Sequence, residues 1–291
     1  MPELPELEVV REVLEGRVAG QVIEKVEVIP PGGPIVVRDL TLRGVGPALT
    51  GARIESIARR GKFLIFSFDA PGPGAGAGVG AGSGVSLYLA INPKLSGRLQ
   101  LAETGQKRPA KTHVVLTLSG GGQLRYIDQR RMGQVYLTPD LEVVPGYAGR
   151  GPEPLETSLE LFRARLRPYS GEVKGVLTRG DFIAGIGNAY ADEILWEARL
   201  HPYRKVALLT ADEIDRLHAA MRIILGNAIA QVRAAMGEAI DTEPREFMSV
   251  HMKAGQPCPR CGAAISVVSA NQRITNFCRA CQPGGPIEGM R

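Results

Sequence analysis

The chain has 291 residues, of which 44% are hydrophobic and 22% are charged, and its formal net charge is +5. This length supports two or three domains, each with a core of its own. No apolar run approaches the roughly 18 residues of a membrane span, and the acidic N-terminus argues against a secretory signal. We therefore expect a cytoplasmic protein, and the mild positive charge weakly favours an anionic partner.

The predicted elements change in type along the chain. Residues 2–16 have the apolar spacing of an amphipathic helix. Short β-branched segments then alternate with turns, which predicts a β-sandwich or barrel. These segments lie at 22–29, 53–58, 63–68, 85–91, 98–102, 113–118, 123–127 and 134–137. The Gly/Ala/Pro-rich stretch 71–84 cannot bury a face, so we expect a surface loop there.

Helical periodicity begins after a turn-rich stretch and covers 157–166, 172–179, 188–198 and 210–234. The predicted fold class is therefore a multidomain α+β protein. We assign residues 1–142 to a β-sandwich domain with an N-terminal helix and 143–156 to a hinge. Residues 157–251 then form a helical domain and 252–291 a metal module.

The four cysteines predict a zinc site. Cys258 and Cys261 form one CxxC pair, Cys278 and Cys281 form another, and 16 residues separate the pairs. Each pair supplies two thiolates from one turn, so the four complete a tetrahedron with no open position, which indicates one structural zinc ion. Two disulfides are the alternative, and a cytoplasmic chain disfavours them.

Three other stretches favour binding to a nucleic-acid backbone. GIGN at 185–188 opens a helix, where free N–H groups and the helix dipole attract phosphate, although an ordinary Asn-capped turn has the same pattern. DQRRMG at 128–133 sets two arginines and a methionine in a turn, which suits either a solvated hairpin or a phosphate clamp with an apolar wedge. The segment 251–291 carries five basic residues and one acidic residue.

The opening MPELPE has two interpretations. Proline is favoured early in helices, so the motif could be only a stiff helix start. Alternatively, removal of Met1 exposes Pro2 as a secondary amine. An α-amino group titrates near pH 8, so a useful fraction of it is nucleophilic at neutral pH.

Taken together, these motifs resemble the formamidopyrimidine-DNA glycosylase/endonuclease VIII family of base-excision repair enzymes. The resemblance covers essentially the whole chain and rests on MPELPE, Lys62 in RRGKFL, DQRRMG, GPEPLE at 151–156, GIGNAYADEIL at 185–195 and NQRITNFCRAC near the end. It implies a bifunctional DNA glycosylase and abasic-site lyase, in which Pro2 attacks C1′ of the damaged nucleotide and forms a Schiff base. Glu3 would be the general acid, and the strand would break by β,δ-elimination. The implied partner is damaged or abasic double-stranded DNA, bound by a monomer in the cytoplasm at the nucleoid.

The resemblance also implies roles for individual residues. Lys62 assists catalysis and contacts a phosphate near the lesion, Arg273 grips a phosphate and promotes δ-elimination, and Glu6 lies near the damaged base. The remaining implied DNA contacts are of two kinds. The phosphate ligands are Lys111, Lys174 and Asn188. The side chains that fill the space left by the flipped base are Leu95, Arg130 and Met132.

Departures from the family pattern leave the substrate open. NPKLSG at 92–97 replaces the usual HLGMSG, Met132 replaces a phenylalanine, and the segment 237–253 is short for a loop that caps an oxidised guanine. Leu4 in ELPE favours the formamidopyrimidine branch, with oxidised purines as substrates. The alternatives are an endonuclease VIII-like enzyme for oxidised pyrimidines and a catalytically silent nucleic-acid-binding protein, which would have no use for an amine at Pro2.

Overall fold

The computed structural model describes residues 1–70, 85–270 and 273–284, and for Val85, Ala270 and Arg273 it describes the backbone alone. The predicted loop 71–84 lies outside these residues. The chain forms two compact units. The first contains Met1–Pro2, Glu6–Gly149 and Val232–Glu243, and the second contains Glu3–Pro5, Arg150–Gln231 and Pro244–Arg291. The junction after Gly149 falls within the predicted hinge.

The first unit is built on two β-sheets. A four-stranded antiparallel sheet has the order β1-β7-β8-β6, and a five-stranded sheet has the order β2-β9-β5-β4-β3, in which β2 runs parallel to β9. The helix α1 covers Leu4–Val18, and the short helices α2 and α3 cover Gly33–Val36 and Val45–Leu49. The strands are β1 Ile23–Val28, β2 Val37–Asp39, β3 Arg53–Arg60, β4 Phe63–Ala70, β5 Val85–Asn92, β6 Gly97–Glu103, β7 Thr112–Leu118, β8 Gly122–Asp128 and β9 Gln134–Thr138.

Burial along the central strands shows that these sheets are covered on both faces. Successive strand residues point to opposite faces, and Phe63–Phe66 of β4 and Gln123–Asp128 of β8 are buried without a break. On one side of the five-stranded sheet, Phe63 packs with Tyr136 and Val144. The sheets therefore hold their connecting loops on a rigid base.

The second unit combines helices with a small hairpin. Its helices are α4 Leu159–Leu166, α5 Val173–Leu177, α6 Asn188–Glu197 and α7 Ala211–Met236, and the last residues of α7 belong to the first unit. The strands β10 Ser266–Ala270 and β11 Arg273–Phe277 form an antiparallel hairpin. Among the described residues, no helix has the length and apolar character needed to cross a membrane.

A glycine turn sets the start of α6. Gly185 has φ +83°, and a methyl group at this position would lie 2.8 Å from Leu4 Cβ. The backbone N–H of Leu4 donates to the carbonyl oxygen of Gly185 at 3.0 Å. Only glycine meets both the left-handed conformation and the close approach, so the GIG sequence attaches the first residues of α1 to the start of α6.

Candidate functional site

The N-terminus of the first unit lies beside a small apolar cavity. Pro2 is buried, and the amine of Met1 donates to Glu243 at 2.9 Å. Pro2 and Glu6 both line the cavity, whose volume of about 20 Å³ has room for about one water molecule. The other lining residues are mainly apolar: Leu7, Val10, Leu64, Ile91, Pro93, Gly97, Arg98, Leu99, Ile240 and Thr242. The residue predicted to be the nucleophile and the residue predicted to lie near the base therefore share one cavity.

The segment Glu238–Glu243 forms one wall of this cavity and is attached by polar contacts. Glu238 pairs with Arg17 at 2.6 Å, Gln100 donates to Asp241 at 2.9 Å, and Glu243 pairs with Arg98. These contacts hold Ile240 and Thr242 against the cavity. This segment lies within the stretch 237–253, which is short for a capping loop, and part of that stretch thus forms the wall beside Pro2.

Glu3, in the second unit, closes the N-terminal end of α6. It is 1% exposed, and its carboxylate accepts hydrogen bonds from the backbone N–H groups of Gly187 at 2.6 Å, Ala189 at 3.0 Å and Tyr190 at 3.4 Å. These N–H groups have no partner within the helix, and a negative charge is favourable at this end of the dipole. The helix therefore orients the carboxylate that was predicted to be the general acid.

The predicted DNA contacts of the first unit lie on its loops. Leu95 and Met132 are 40% and 46% exposed, which is unusual for large apolar side chains and suits side chains that enter DNA. Arg130 and Lys111 are exposed, and Lys62 is half-buried in the turn before β4. The exposure of these two apolar side chains agrees with the predicted role of a wedge that enters the DNA.

The second unit places two predicted phosphate ligands against its β-hairpin. Asn188 is the first residue of α6 and donates through Nδ2 to the carbonyl oxygen of Ile274 at 2.7 Å. Lys174 is buried, pairs with Asp192 at 2.6 Å and donates to Thr275 Oγ1 at 2.8 Å. Lys174 thus has a structural role in this state, and its phosphate role stays a prediction. For Arg273 the structure gives only its backbone position as the first residue of β11, so its predicted role falls on a side chain outside the described part.

Two buried carboxylates on α6 were not predicted from the sequence. Asp192 accepts from His251 Nδ1 at 2.8 Å as well as from Lys174. Glu193 accepts from the backbone N–H groups of residues 249–251 at 2.8–2.9 Å. Burial raises the pKa of Glu193, although these backbone donors oppose the rise. The available signal was a pair of adjacent acids inside an otherwise apolar helix.

The four cysteines have the geometry of a tetrahedral metal site. Their sulfur atoms all lie within 4.8 Å of one another. The Sγ atoms of Cys261 and Cys278 are 3.5 Å apart, and those of Cys258 and Cys281 are 3.9 Å apart. Four Zn–S bonds of about 2.3 Å at tetrahedral angles put the sulfurs about 3.8 Å apart. These distances exclude the alternative of two disulfides and fit one structural zinc ion.

The surroundings of the thiols also favour a cation. Burial raises the pKa of Cys258, but hydrogen bonds from Trp196 Nε1 and from the backbone N–H groups of Arg260 and Cys261 outweigh it, and the pKa falls to about 6. Burial and the neighbouring thiols raise the pKa of Cys281 to about 12. Four thiolates this close repel one another, so all four ionise together only around a metal ion.

Comparison with known proteins identifies the family. The model of the formamidopyrimidine-DNA glycosylase N-terminal domain matches residues 1–135, and that of the formamidopyrimidine-DNA glycosylase H2TH domain matches 150–238. A zinc finger found in FPG and IleRS matches 255–284. The chain belongs to the formamidopyrimidine-DNA glycosylase family. The family membership resolves the choice between the two branches in favour of the formamidopyrimidine branch.

Individual relatives match over nearly their whole length. The chain is 37% identical to the formamidopyrimidine-DNA glycosylase of Symbiobacterium thermophilum, over 97% of this chain and 90% of the relative. It is 35% identical to that of Pelotomaculum thermopropionicum, over 97% and 99%. A structure of MutM in complex with DNA containing carbocyclic 8-oxo-G superposes with a TM-score of 0.83 at 32% identity, covering 97% of this chain and all of the other. The Lactococcus lactis Fpg in complex with abasic-site DNA gives a TM-score of 0.82 at 32% identity, with the same coverage.

Proposed function

We propose that this protein is a bifunctional DNA glycosylase and abasic-site lyase of base-excision repair that removes oxidised purines from double-stranded DNA. The observation that carries the proposal is the buried Pro2 beside an apolar cavity, in a chain whose relatives are formamidopyrimidine-DNA glycosylases. The similarity to MutM and Fpg bound to damaged or abasic DNA supports the same partner for this chain. We place its action in the cytoplasm, on the nucleoid.

The chemistry begins once Met1 is removed. The secondary amine of Pro2 attacks C1′, the C1′–N bond breaks and the base leaves after protonation. Glu3, oriented by the N–H groups of α6, supplies the proton that opens the sugar ring. The resulting iminium acidifies the 2′ hydrogen, so the 3′ phosphate and then the 5′ phosphate leave by successive elimination. Lys62 and Arg273 stabilise the phosphates during these steps.

The zinc ion takes no part in these bond changes. Four sulfur ligands fill its coordination sphere and leave no position for water or substrate. When bound, the metal holds the hairpin of β10 and β11 in place. Its contribution is therefore the position of Arg273 and of the backbone around Ile274, to which Asn188 donates.

A nicking assay with defined duplexes tests the proposal. The duplexes carry formamidopyrimidine, 8-oxoguanine, thymine glycol or an abasic site, and each is compared with undamaged DNA. We expect cleavage of the formamidopyrimidine and abasic duplexes with 5′- and 3′-phosphate ends. Cleavage of the thymine glycol duplex alone among the base lesions would assign the protein to oxidised pyrimidines. No cleavage of any duplex would leave only a DNA-binding protein.

A further inference from the structure

The loops that carry the predicted DNA-filling side chains meet at one buried carboxylate. Asp128 is the last residue of β8 and is 0% exposed. Its Oδ1 accepts from Ser96 Oγ and from the backbone N–H of Arg130 at 3.1 Å, and its Oδ2 accepts from the backbone N–H of Gly133 at 2.7 Å. The side chain therefore binds the loop containing Leu95 and both ends of the loop Gln129–Met132.

The backbone of Asp128 binds a third loop. Its N–H donates to the carbonyl oxygen of Lys111 at 3.0 Å. Its carbonyl oxygen lies 2.9 Å from His113 Nε2, a ring nitrogen that donates in the matching tautomer. The loop before β7, which presents the predicted phosphate ligand Lys111, is thus attached to the same residue.

Each of these loops contains a residue in a strained conformation. Lys94, Lys111 and Arg131 have φ values of 50°, 69° and 54°. Non-glycine residues are uncommon in this left-handed region and persist there only when their surroundings impose the conformation. Each of the three loops attached to Asp128 thus contains one residue whose conformation its surroundings have to impose, and the hydrogen bonds of Asp128 are part of those surroundings.

Tight packing around the carboxylate leaves little freedom for another arrangement. A methyl group at Gly133 would lie 1.7 Å from Tyr126 Oη, and one at Gly97 would lie 2.3 Å from the same atom. Tyr126 Oη lies 3.5 Å from Asp128 Oδ2. Burial and the charge of Asp128 raise the pKa of Tyr126, so its hydroxyl remains a donor.

We propose that Asp128 is a positioning residue that holds Leu95, Arg130 and Met132 as one rigid unit for entry into the DNA duplex. The proposal rests on the proposed function, because it assumes that these side chains replace a flipped nucleotide. A side chain that fills a base stack works best when it is held in place before the nucleotide leaves. If its loop were loose, ordering the loop on binding would cost conformational entropy and weaken insertion. Asp128 itself touches neither DNA nor the reacting atoms.

The test compares duplex and single-stranded DNA, since only the duplex has a stack that must be opened. Abasic-site adducts are trapped with borohydride for the wild type, Asp128→Asn and Ser96→Ala. Asp140→Asn is the matched control, because Asp140 also accepts a backbone N–H in a turn but lies at an exposed position. For Asp128→Asn we expect a fall of about tenfold or more on duplex DNA and less than about twofold on single strands, as for a misplaced positioning group. Ser96→Ala should show a smaller loss, again on duplex DNA only.

A second readout is the fluorescence of 2-aminopurine placed next to the lesion, which rises when the stack opens. The rise should be lost in Asp128→Asn and kept in Asp140→Asn. Equal trapping by Asp128→Asn and the wild type on duplex DNA would overturn the inference, as would equal losses on both substrates. If Asp128→Asn does not fold, an unchanged duplex rate for Ser96→Ala overturns it. A wild type that forms no adduct on either DNA refutes the proposed function instead.

Discussion

Replacement of Glu3 should affect the stability of the second unit as well as catalysis. Glu3→Ala leaves three buried N–H groups of α6 without their acceptor. A lost helix cap costs about 0.5–2 kcal/mol, and an unsatisfied buried donor costs about 1–3 kcal/mol. Because water can enter the space left by the side chain and because the contact at 3.4 Å is weak, the costs do not add in full. We expect a loss of about 3 kcal/mol for Glu3→Ala and about 1 kcal/mol for Glu3→Gln, which keeps one acceptor.

The assay is urea unfolding followed by the fluorescence of Trp196. It is the only tryptophan of the chain, it belongs to the second unit and it is 9% exposed. Asp215→Ala is the control, since Asp215 belongs to the same unit and forms an exposed pair with Arg163 at 2.5 Å, and exposed pairs add little to stability. If Glu3→Ala is no less stable than Asp215→Ala, the capping role of Glu3 is wrong.

Further predictions concern pH, a buried lysine and the metal. Burial raises the pKa of Glu8, but the hydrogen bonds and charges of Arg59 and Arg11 outweigh it and leave the pKa below its ordinary 4.5. The contribution of Glu8 is therefore fully present above about pH 4.5 and is lost as pH falls through the lower folded value. Glu8 belongs to the first unit, so unfolding of Glu8→Gln in urea is followed by circular dichroism. The variant should lose stability at pH 7, and this loss should shrink as the pH is lowered below 4.5. Lys174→Met should destabilise by about 3 kcal/mol in the Trp196 assay, because it removes the lysine that pairs with the buried carboxylate of Asp192. Lys111→Met should reduce DNA affinity in a titration without changing stability, because Lys111 is exposed. Chelation of zinc should shift Trp196 fluorescence and abolish DNA binding, and unchanged affinity would show that the finger is dispensable.

Periodicity predicted the long elements well and the short ones poorly. The helix expected at 210–234 is Ala211–Met236, and the strand expected at 98–102 is Gly97–Glu103. The strand Val37–Asp39 was missed, because three residues carry no detectable alternation and its partner β9 lies about 100 residues away. The hydrophobic pattern of a sequence therefore locates an element only when the element is long enough for its own side chains to show a buried face.

The sequence predicted those parts of the candidate site whose chemistry depends on residue type and on spacing along the chain. The CxxC pairs predicted the sulfur cluster, and MPELPE identified the residue beside the cavity. The burial of Lys174 was not predictable, because it depends on the packing of α5 against α6 and on Asp192. Asp128 shows the same limit, since its partners Ser96 and Lys111 come together only when separate strands pair.

Borohydride trapping on abasic DNA shows whether the amine of Pro2 is the nucleophile. Reduction of the Schiff base links the protein covalently to DNA, and the linked peptide is identified by mass spectrometry. We expect an adduct on residue 2 for the processed wild type and little or none for Pro2→Gly or for protein that retains Met1. An absence of adduct in the processed wild type, or an adduct on another residue, would show that Pro2 is not the nucleophile.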